Sequence, residues 1–332
     1  MDLFNLFRKR RIFLDYASAT PVLWRVQWAM LRYATWDFYN PNAIYQEGVK
    51  AREVVEECRT KIARILGVTK EGIVFTSGGT EANIWAVRGV KLGQIVVEED
   101  VHPSVQEAAQ GITGSGITLV SSVTTNNRLG RKIREERKKN NSEYPLLHID
   151  ASQSAQYFDV GLETLSCDLL TLDSAKLYGP KGIGVLAMRR GVKLNLPPQG
   201  TPPVPLIVGF TKALEIAVRD REAERVRLSS LSDLFVRSVK QALPEISITQ
   251  TLPNVVNISL PNILPEFLVL SLDLAGLLVS AGPACHSHKP EPHGIHVMDS
   301  VPVRFSLGRP TSGKEIREAA KILCQTVQNL LK

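Results

Sequence analysis

The sequence predicts an α/β protein with one large open-sheet domain and one smaller domain. Three observations lead there. Short apolar runs that read as buried strands recur at Ile73 to Thr76, Gln94 to Val97, Ile117 to Val123, Leu146 to Asp150, Leu169 to Leu172 and Val185 to Met188. Helix-period stretches lie among them, the clearest carrying Val55, Cys58, Ile62 and Ile65 at steps of three and four before Gly67. The length of 332 residues is enough for one large core and a second, smaller one.

Composition narrows the class. Hydrophobic residues make up 44% and charged residues 22%, the balance of an ordinary soluble protein. No apolar run reaches the roughly 18 residues of a membrane helix. The start, Met1 to Arg11, has too short an apolar part for a signal peptide and carries its basic residues on the wrong side, so it reads as a basic lead into the first strand. The net charge is +7, and the densest basic run, Arg128 to Lys139, mixes signs at helical spacing. It reads as a solvated helix face, with no membrane or direct nucleic-acid contact expected. Cys58, Cys167, Cys285 and Cys324 are far apart with no paired spacing, the pattern of a reduced, cytoplasmic protein.

Taken in order, Arg11 to Pro21 reads as a short strand stopped by a proline-ended turn. The strand at Ile73 runs into Ser77-Gly-Gly-Thr-Glu-Ala-Asn83 and a helix to about Val90. A glycine-rich loop opening a helix makes an anion site from free backbone N–H groups and the positive end of the helix dipole. Gly78 and Gly79 allow close approach, and the Thr80 hydroxyl adds a donor. His102 follows the next strand, Thr125-Asn-Asn-Arg-Leu-Gly130 the one after, and Asp150 ends the strand that begins at Leu146. Lys176 lies just past the strand at Leu169. A lysine at the carboxyl end of such a strand can desolvate and form a Schiff base with a carbonyl cofactor. For that lysine alone, a surface position in a strand-to-strand turn is the simpler reading.

A proline-rich stretch from Leu194 to Pro205 precedes a helix from Ile207 to Val218, and a more charged helix begins near Glu222. The domain boundary is placed there: residues 12–221 form the cofactor-binding domain, and 222–332 with 1–11 the small domain. Asn254 to Leu260 reads as a strand, and Pro265 to Leu278 as an apolar helix. Cys285 then sits among small and polar residues, whereas the other three cysteines lie on apolar stripes, so Cys285 is the reactive one by environment. His286, His288, His293 and His296 cluster after it, but their spacing matches no closed metal site, and no metal is expected. The chain closes on a helix with Ile316, Ala320, Leu323, Val327 and Leu330 on one stripe.

These segments, in this order, resemble the cysteine desulfurases, the class-V branch of the fold-type-I pyridoxal-phosphate enzymes. Thr76-Ser-Gly-Gly-Thr-Glu-Ala-Asn83 is similar to the family's phosphate loop residue for residue. Asn126-Asn127, His148-Ile-Asp-Ala-Ser-Gln153, Lys176 with Gly179-Pro-Lys-Gly-Ile-Gly184, Val279-Ser-Ala-Gly-Pro-Ala-Cys-His-Ser287 and Arg304-Phe-Ser-Leu-Gly-Arg309 resemble its other motifs. The resemblance implies a large domain with a mainly parallel, seven-stranded sheet between helices, and a smaller α/β C-terminal domain. It implies pyridoxal 5'-phosphate held covalently on Lys176, with Gly79 and Thr80 at the phosphate, Gln153 at the phenolic oxygen and Asp150 on the pyridinium nitrogen. His102 would stack on the ring and carry protons, and Asn127 would contact cofactor and substrate. Arg309, with Arg304 as the alternative, would clamp the carboxylate of L-cysteine. Thr201 would reach the phosphate of a neighbouring subunit, implying a homodimer. Cys285 would take the substrate sulfur as a persulfide, leaving alanine, and pass it to an acceptor protein such as an iron–sulfur scaffold or a thiolation enzyme.

The sequence departs from the family pattern at several points. Asp173 stands for serine and Ala175 for histidine beside Lys176, Tyr45 for histidine and Arg128 for glutamate, and an arginine-containing segment before Gly200 is missing. These departures open a second reading, a weakened or silent homologue acting as a binding scaffold. A third keeps the cofactor with another substrate, as in a selenocysteine lyase.

Overall fold

The computed structural model describes residues 11–90, 93–98, 100–261, 263–282 and 302–331. The chain divides into two units, Thr20–Arg221 and the residues up to Ala19 with Glu222–Lys332. It opens on β1 (Ile12–Phe13), which pairs with a strand of the C-terminal unit. Residues 12–19 therefore group with that unit and not with the large domain, where the sequence reading put them, because their ladder partner comes from the end of the chain.

The larger unit continues with α1 (Trp24–Thr35), α2 (Gln46–Leu66), β2 (Ile73–Thr76), α3 (Gly79–Arg88), β3 (Gln94–Val97), α4 (Pro103–Ala109) and β4 (Ile117–Ser122). It goes on through α5 (Arg128–Lys139), β5 (Leu146–Asp150), α6 (Leu162–Leu165), β6 (Leu169–Asp173), β7 (Gly184–Met188) and the first part of α7 (Val204–Ala242). Its strands form one sheet in the order β2-β7-β6-β5-β4-β3. From β3 to β6 neighbouring strands are parallel, and β7 is antiparallel to both β6 and β2. All strands but β7 thus run the same way and end at one edge.

Helices cover both faces, which explains why the strands read as unbroken apolar runs. Leu147, Ile149, Leu170, Leu172, Val185 and Ala187 pack with residues of α2, α5 and α7. Leu146, Leu169 and Leu186, one residue out of phase with them, pack with residues of α3 and α4. The sheet has six strands among the described residues, one fewer than the seven the resemblance implies. Between α4 and β4 only residues 110–116 remain, with Gly111 and Gly116 at φ of +76° and +78°. That is a turn, too short for a strand and its return, so β3 forms the sheet edge.

A buried ion cluster ties α5 to the sheet. Asp168, fully buried just ahead of β6, accepts bonds from Arg137 Nη1 and Nη2 (3.2 and 2.6 Å), Arg189 Nε (2.7 Å) and the Leu147 N–H (2.8 Å). The run Arg128 to Lys139 is the expected helix, but its face is not wholly solvated, because Arg137 is drawn inward. A second revision concerns α7: no glycine or proline lies between Phe210 and Ala242, and the two helices expected on either side of Glu222 are one.

The C-terminal unit holds β8 (Ser247–Leu252), β9 (Val255–Ser259), α8 (Pro265–Leu274), β10 (Leu277–Leu278), β11 (Ser280–Ala281), β12 (Val303–Ser306) and α9 (Gly313–Leu330). Four strands make an antiparallel sheet, β11-β12-β9-β8, and β10 pairs in parallel with β1. The helix expected from Pro265 to Leu278 stops at Leu274, because Gly276 turns the chain at φ +93° and releases Leu277 and Leu278 to the ladder. A capping box between Ser312 and Glu315 starts α9, and Ile316, Ala320, Leu323 and Val327 are buried along it. Cys285, His286, His288, His293 and His296 lie outside the described residues.

Candidate active site

The carboxyl ends of five strands deliver the residues singled out from the sequence. Gly79 follows β2, His102 follows β3, Asn127 follows β4, Asp150 closes β5, and Lys176 follows β6 in a 3-10 turn, Ser174–Lys176. Chemistry in open α/β sheets concentrates at such an edge, where loops leave the sheet free to vary.

Two of these positions, Asp150 and His102, connect through hydrogen bonds by way of Asn83 and Ser104. Asn83 Nδ2, one turn into α3, donates to Asp150 Oδ2 (2.8 Å) and to Ser104 Oγ (3.1 Å). Ser104 Oγ lies 2.7 Å from His102 Nδ1, and the Ser104 N–H donates to the same nitrogen (3.1 Å). A backbone N–H only donates, so Nδ1 is the acceptor and neutral His102 carries its proton on Nε2. Asp150 Oδ1 also accepts the Ser152 N–H (3.0 Å). The carboxylate is thus held by donors on both oxygens at the end of a buried strand. Neither Asn83 nor Ser104 was singled out from sequence. Asn83 closes the glycine-loop motif, and that was the available signal.

The lysine turn is pinned from both sides. Thr20 Oγ1 donates to the Ala175 carbonyl (2.8 Å) and accepts the Tyr178 N–H (3.0 Å). Gln156 donates to the Lys176 carbonyl. Lys176 itself is half-buried. Asp173 caps the turn, its Oδ1 accepting the Ala175 N–H (2.9 Å).

At the glycine loop, Gly78 takes φ +156°, a value other residues rarely adopt, and Gly79 begins α3. A Cβ on Gly79 would lie 3.1 Å from Asp173 Cβ and 3.3 Å from Ser152 Oγ. Ser152 Oγ is buried without a hydrogen-bond partner among the described residues. Thr80 is exposed; Asn127 and Gln153 are half-buried; Thr201 is exposed in the coil before α7. That coil is tied to β2 by Gln199 Nε2 donating to the Phe75 carbonyl (2.7 Å).

Beneath Asp150, His148 is fully buried between Ser121 Oγ (2.8 Å from Nδ1) and Thr171 Oγ1 (3.0 Å from Nε2). Burial outweighs the pull of the Asp150 charge and lowers its pKa from 6.5 to about 4, so it is neutral at physiological pH. In the C-terminal unit, Arg304 Nη2 donates to Asp15 Oδ1 (3.1 Å) and Ser18 Oγ (2.8 Å). That side chain has structural partners of its own. Arg309 is half-buried after β12, its carbonyl accepting from Arg227 Nη2 (3.2 Å). Cys58, Cys167 and Cys324 are buried. Burial raises all three thiols, Cys167 to about 12, which makes them poor nucleophiles at neutral pH.

The site meets the needs of a pyridine-ring cofactor with an anionic tail. Asp150 is a braced carboxylate able to face a ring nitrogen, Lys176 is an amine at the same edge, and Ser152 Oγ is a buried hydroxyl without a hydrogen-bond partner among the described residues. The first turn of α3 supplies free N–H groups for the tail. Asp173 beside the first turn of α3 and Glu81 within it are the carboxylates that oppose an anionic tail.

The aminotransferase class-V family model matches residues 12–110, 84–199 and 198–318. The chain is 31% identical to the cysteine desulfurase IscS of Dictyoglomus turgidum, covering 97% of this chain and 96% of that one. It is 32% identical to cysteine desulfurase IscS 1 of Archaeoglobus fulgidus, covering 96% and 97%. The alignments span 377 and 378 residues, more than the 332 present here, so these relatives carry segments that this chain lacks. Among solved structures, a NifS-like protein shares the fold at a TM-score of 0.83 and 24% identity, covering 96% of this chain and 100% of that one. A NifS-like protein from Rickettsia africae does so at 0.82 and 20%, with the same coverages.

Proposed function

Because the chain belongs to the class-V aminotransferase family, among the cysteine desulfurases, we propose that it converts L-cysteine to L-alanine and a persulfide on Cys285. Pyridoxal 5'-phosphate supplies the electron sink when bound. The observation that carries the reading is the hydrogen-bonded chain from Asp150 through Asn83 and Ser104 to His102, at the sheet edge that also bears Lys176.

In this reading each residue has a task. Lys176 would hold pyridoxal phosphate at its carbonyl carbon, and its free amine would move the proton lost from the substrate α-carbon. Asp150, braced by Asn83 and Ser152, keeps the ring nitrogen protonated. His102 would stack on the ring and carry protons. Gly79 and Thr80 bind the phosphate, and Gln153 the phenolic oxygen. Asn127 orients cofactor and substrate, and Arg309 grips the carboxylate by a bidentate pair. The Cys285 thiolate attacks the substrate sulfur: an S–S bond forms, the Cβ–S bond breaks, and the carbon fragment is protonated to alanine. The raised thiols of the three buried cysteines support Cys285 as the nucleophile.

The persulfide needs a consumer, an iron–sulfur scaffold or a thiolation enzyme, in the cytoplasm. A homodimer, with Thr201 reaching the neighbour's phosphate, completes the proposal. Its support is the apolar face of α1, where Trp24 and Trp28, one turn apart, are 63% and 68% exposed, with Trp36 and Phe38 exposed beyond the helix. No helix among the described residues is long and apolar enough to cross a membrane.

A weakened or silent scaffold is the second reading, favoured by the Asp173 carboxylate beside the first turn of α3. Adding pyridoxal phosphate to the purified protein separates the two. A visible absorption band that vanishes in Lys176→Ala and changes with cysteine, with sulfide and alanine released unless Cys285→Ser is present, is expected. A protein with no such band at millimolar cofactor is the scaffold.

A further inference from the structure

The cofactor reading leaves Asp173 unexplained. Oδ1 of its carboxylate caps the lysine turn through the Ala175 N–H, 2.9 Å away. Oδ2 comes within 3.4 Å of the Cβ position at Gly79, the first residue of α3. The carboxylate therefore stands at the positive end of that helix, the end an anionic tail would use. A second feature marks the place as a ligand subsite. Ser152, 7% exposed, points its Oγ to within 3.3 Å of the same Cβ position and has no hydrogen-bond partner among the described residues. One buried hydroxyl awaits an acceptor while a carboxylate already occupies part of the space.

We propose that Asp173 sets the charge preference of this subsite, lowering its affinity for a dianionic tail relative to an uncharged one. Two effects act together. The carboxylate, with Glu81 in the first turn of α3, already offsets part of the positive helix end that a phosphate would use. It also repels the two negative charges of a phosphate monoester, an interaction that water only partly screens at this depth. The protein then holds its cofactor mainly through the ring and Lys176, and less through the phosphate. This inference rests on the cofactor reading above.

Two aldehydes test it, pyridoxal phosphate and pyridoxal, which differ only in the tail. Each is titrated into the full-length protein, and its Kd is read from the Lys176-dependent visible band. Asp173→Asn keeps the shape and the acceptor for the Ala175 N–H, and Asp173→Ser keeps a capping hydroxyl, so the turn survives in at least one. Both variants are expected to bind pyridoxal phosphate about tenfold or more tightly than the parent, with pyridoxal changed less than about twofold. An unchanged Kd for pyridoxal phosphate, or an equal change for both aldehydes, overturns the proposal and leaves the cofactor reading intact. No Lys176-dependent band with either aldehyde, in parent or variants, removes the cofactor reading and this inference with it.

Discussion

Replacing Asp168 by asparagine removes one negative charge from the interior while nearly preserving shape. In the parent that carboxylate takes two bonds from Arg137, one from Arg189 and one from the Leu147 N–H. The Arg137 side chain is only 9% exposed, whereas that of Arg189 is 40% exposed. After the substitution Arg189 turns to water at little cost, but Arg137 keeps its charge with no anion beside it. Removing one partner of a buried pair costs about 3–5 kcal/mol, because the other charge stays desolvated. Arg189→Ala, which removes a half-exposed partner and leaves Arg137 in place, costs about 1 kcal/mol or less. Urea unfolding followed by circular dichroism, compared at equal slope, reads both values. Hydrogen exchange at the Leu147 and Ile149 amides localises the loss to β5. A cost below about 1 kcal/mol for Asp168→Asn, or equal costs for both variants, would refute the buried-pair reasoning.

Asn83→Ala removes the donor shared by Asp150 and Ser104, and is expected to weaken pyridoxal phosphate binding about tenfold, the worth of one charge-assisted hydrogen bond; equilibrium dialysis against cofactor checks it. His148 binds a proton more readily when unfolded, at 6.5, than in the fold, at about 4. Its contribution is therefore fully present above pH 6.5 and is lost as pH falls toward 4, by about 3 kcal/mol in all. His148→Gln should show a flatter stability profile than the parent across that window in urea titrations. Ser312→Ala breaks the capping box of α9 and should cost about 1 kcal/mol, read as a lower unfolding midpoint.

Period and punctuation made most elements legible. The parallel strands are covered on both faces and so appear as continuous apolar runs, and Gly67 ends α2 at φ +70° as a left-handed cap should. Failures came where local signals conflict with a distant partner. Leu277 and Leu278 continue the apolar run of α8, yet pair with Ile12 and Phe13 from the other end of the chain. The change of composition at Glu222 marks where the contacts of α7 change units, but a change of neighbours does not break a helix whose backbone bonds are all local.

For the candidate site, the residue types and their places after strands were visible in the sequence. Gly79, His102, Asn127, Asp150 and Lys176 each follow or close an apolar run, and a parallel sheet brings such positions to one edge. What the sequence by itself determined is this order of elements, together with the chemistry each strand end carries. Tertiary structure alone decided which of them meet. Asn83 reaches Asp150 across 67 positions, Arg137 finds Asp168 across 31, and Asp173 closes on Gly79. Those meetings follow from strand register and helix packing, which depend on the whole core at once and leave no mark on the local pattern of any one segment.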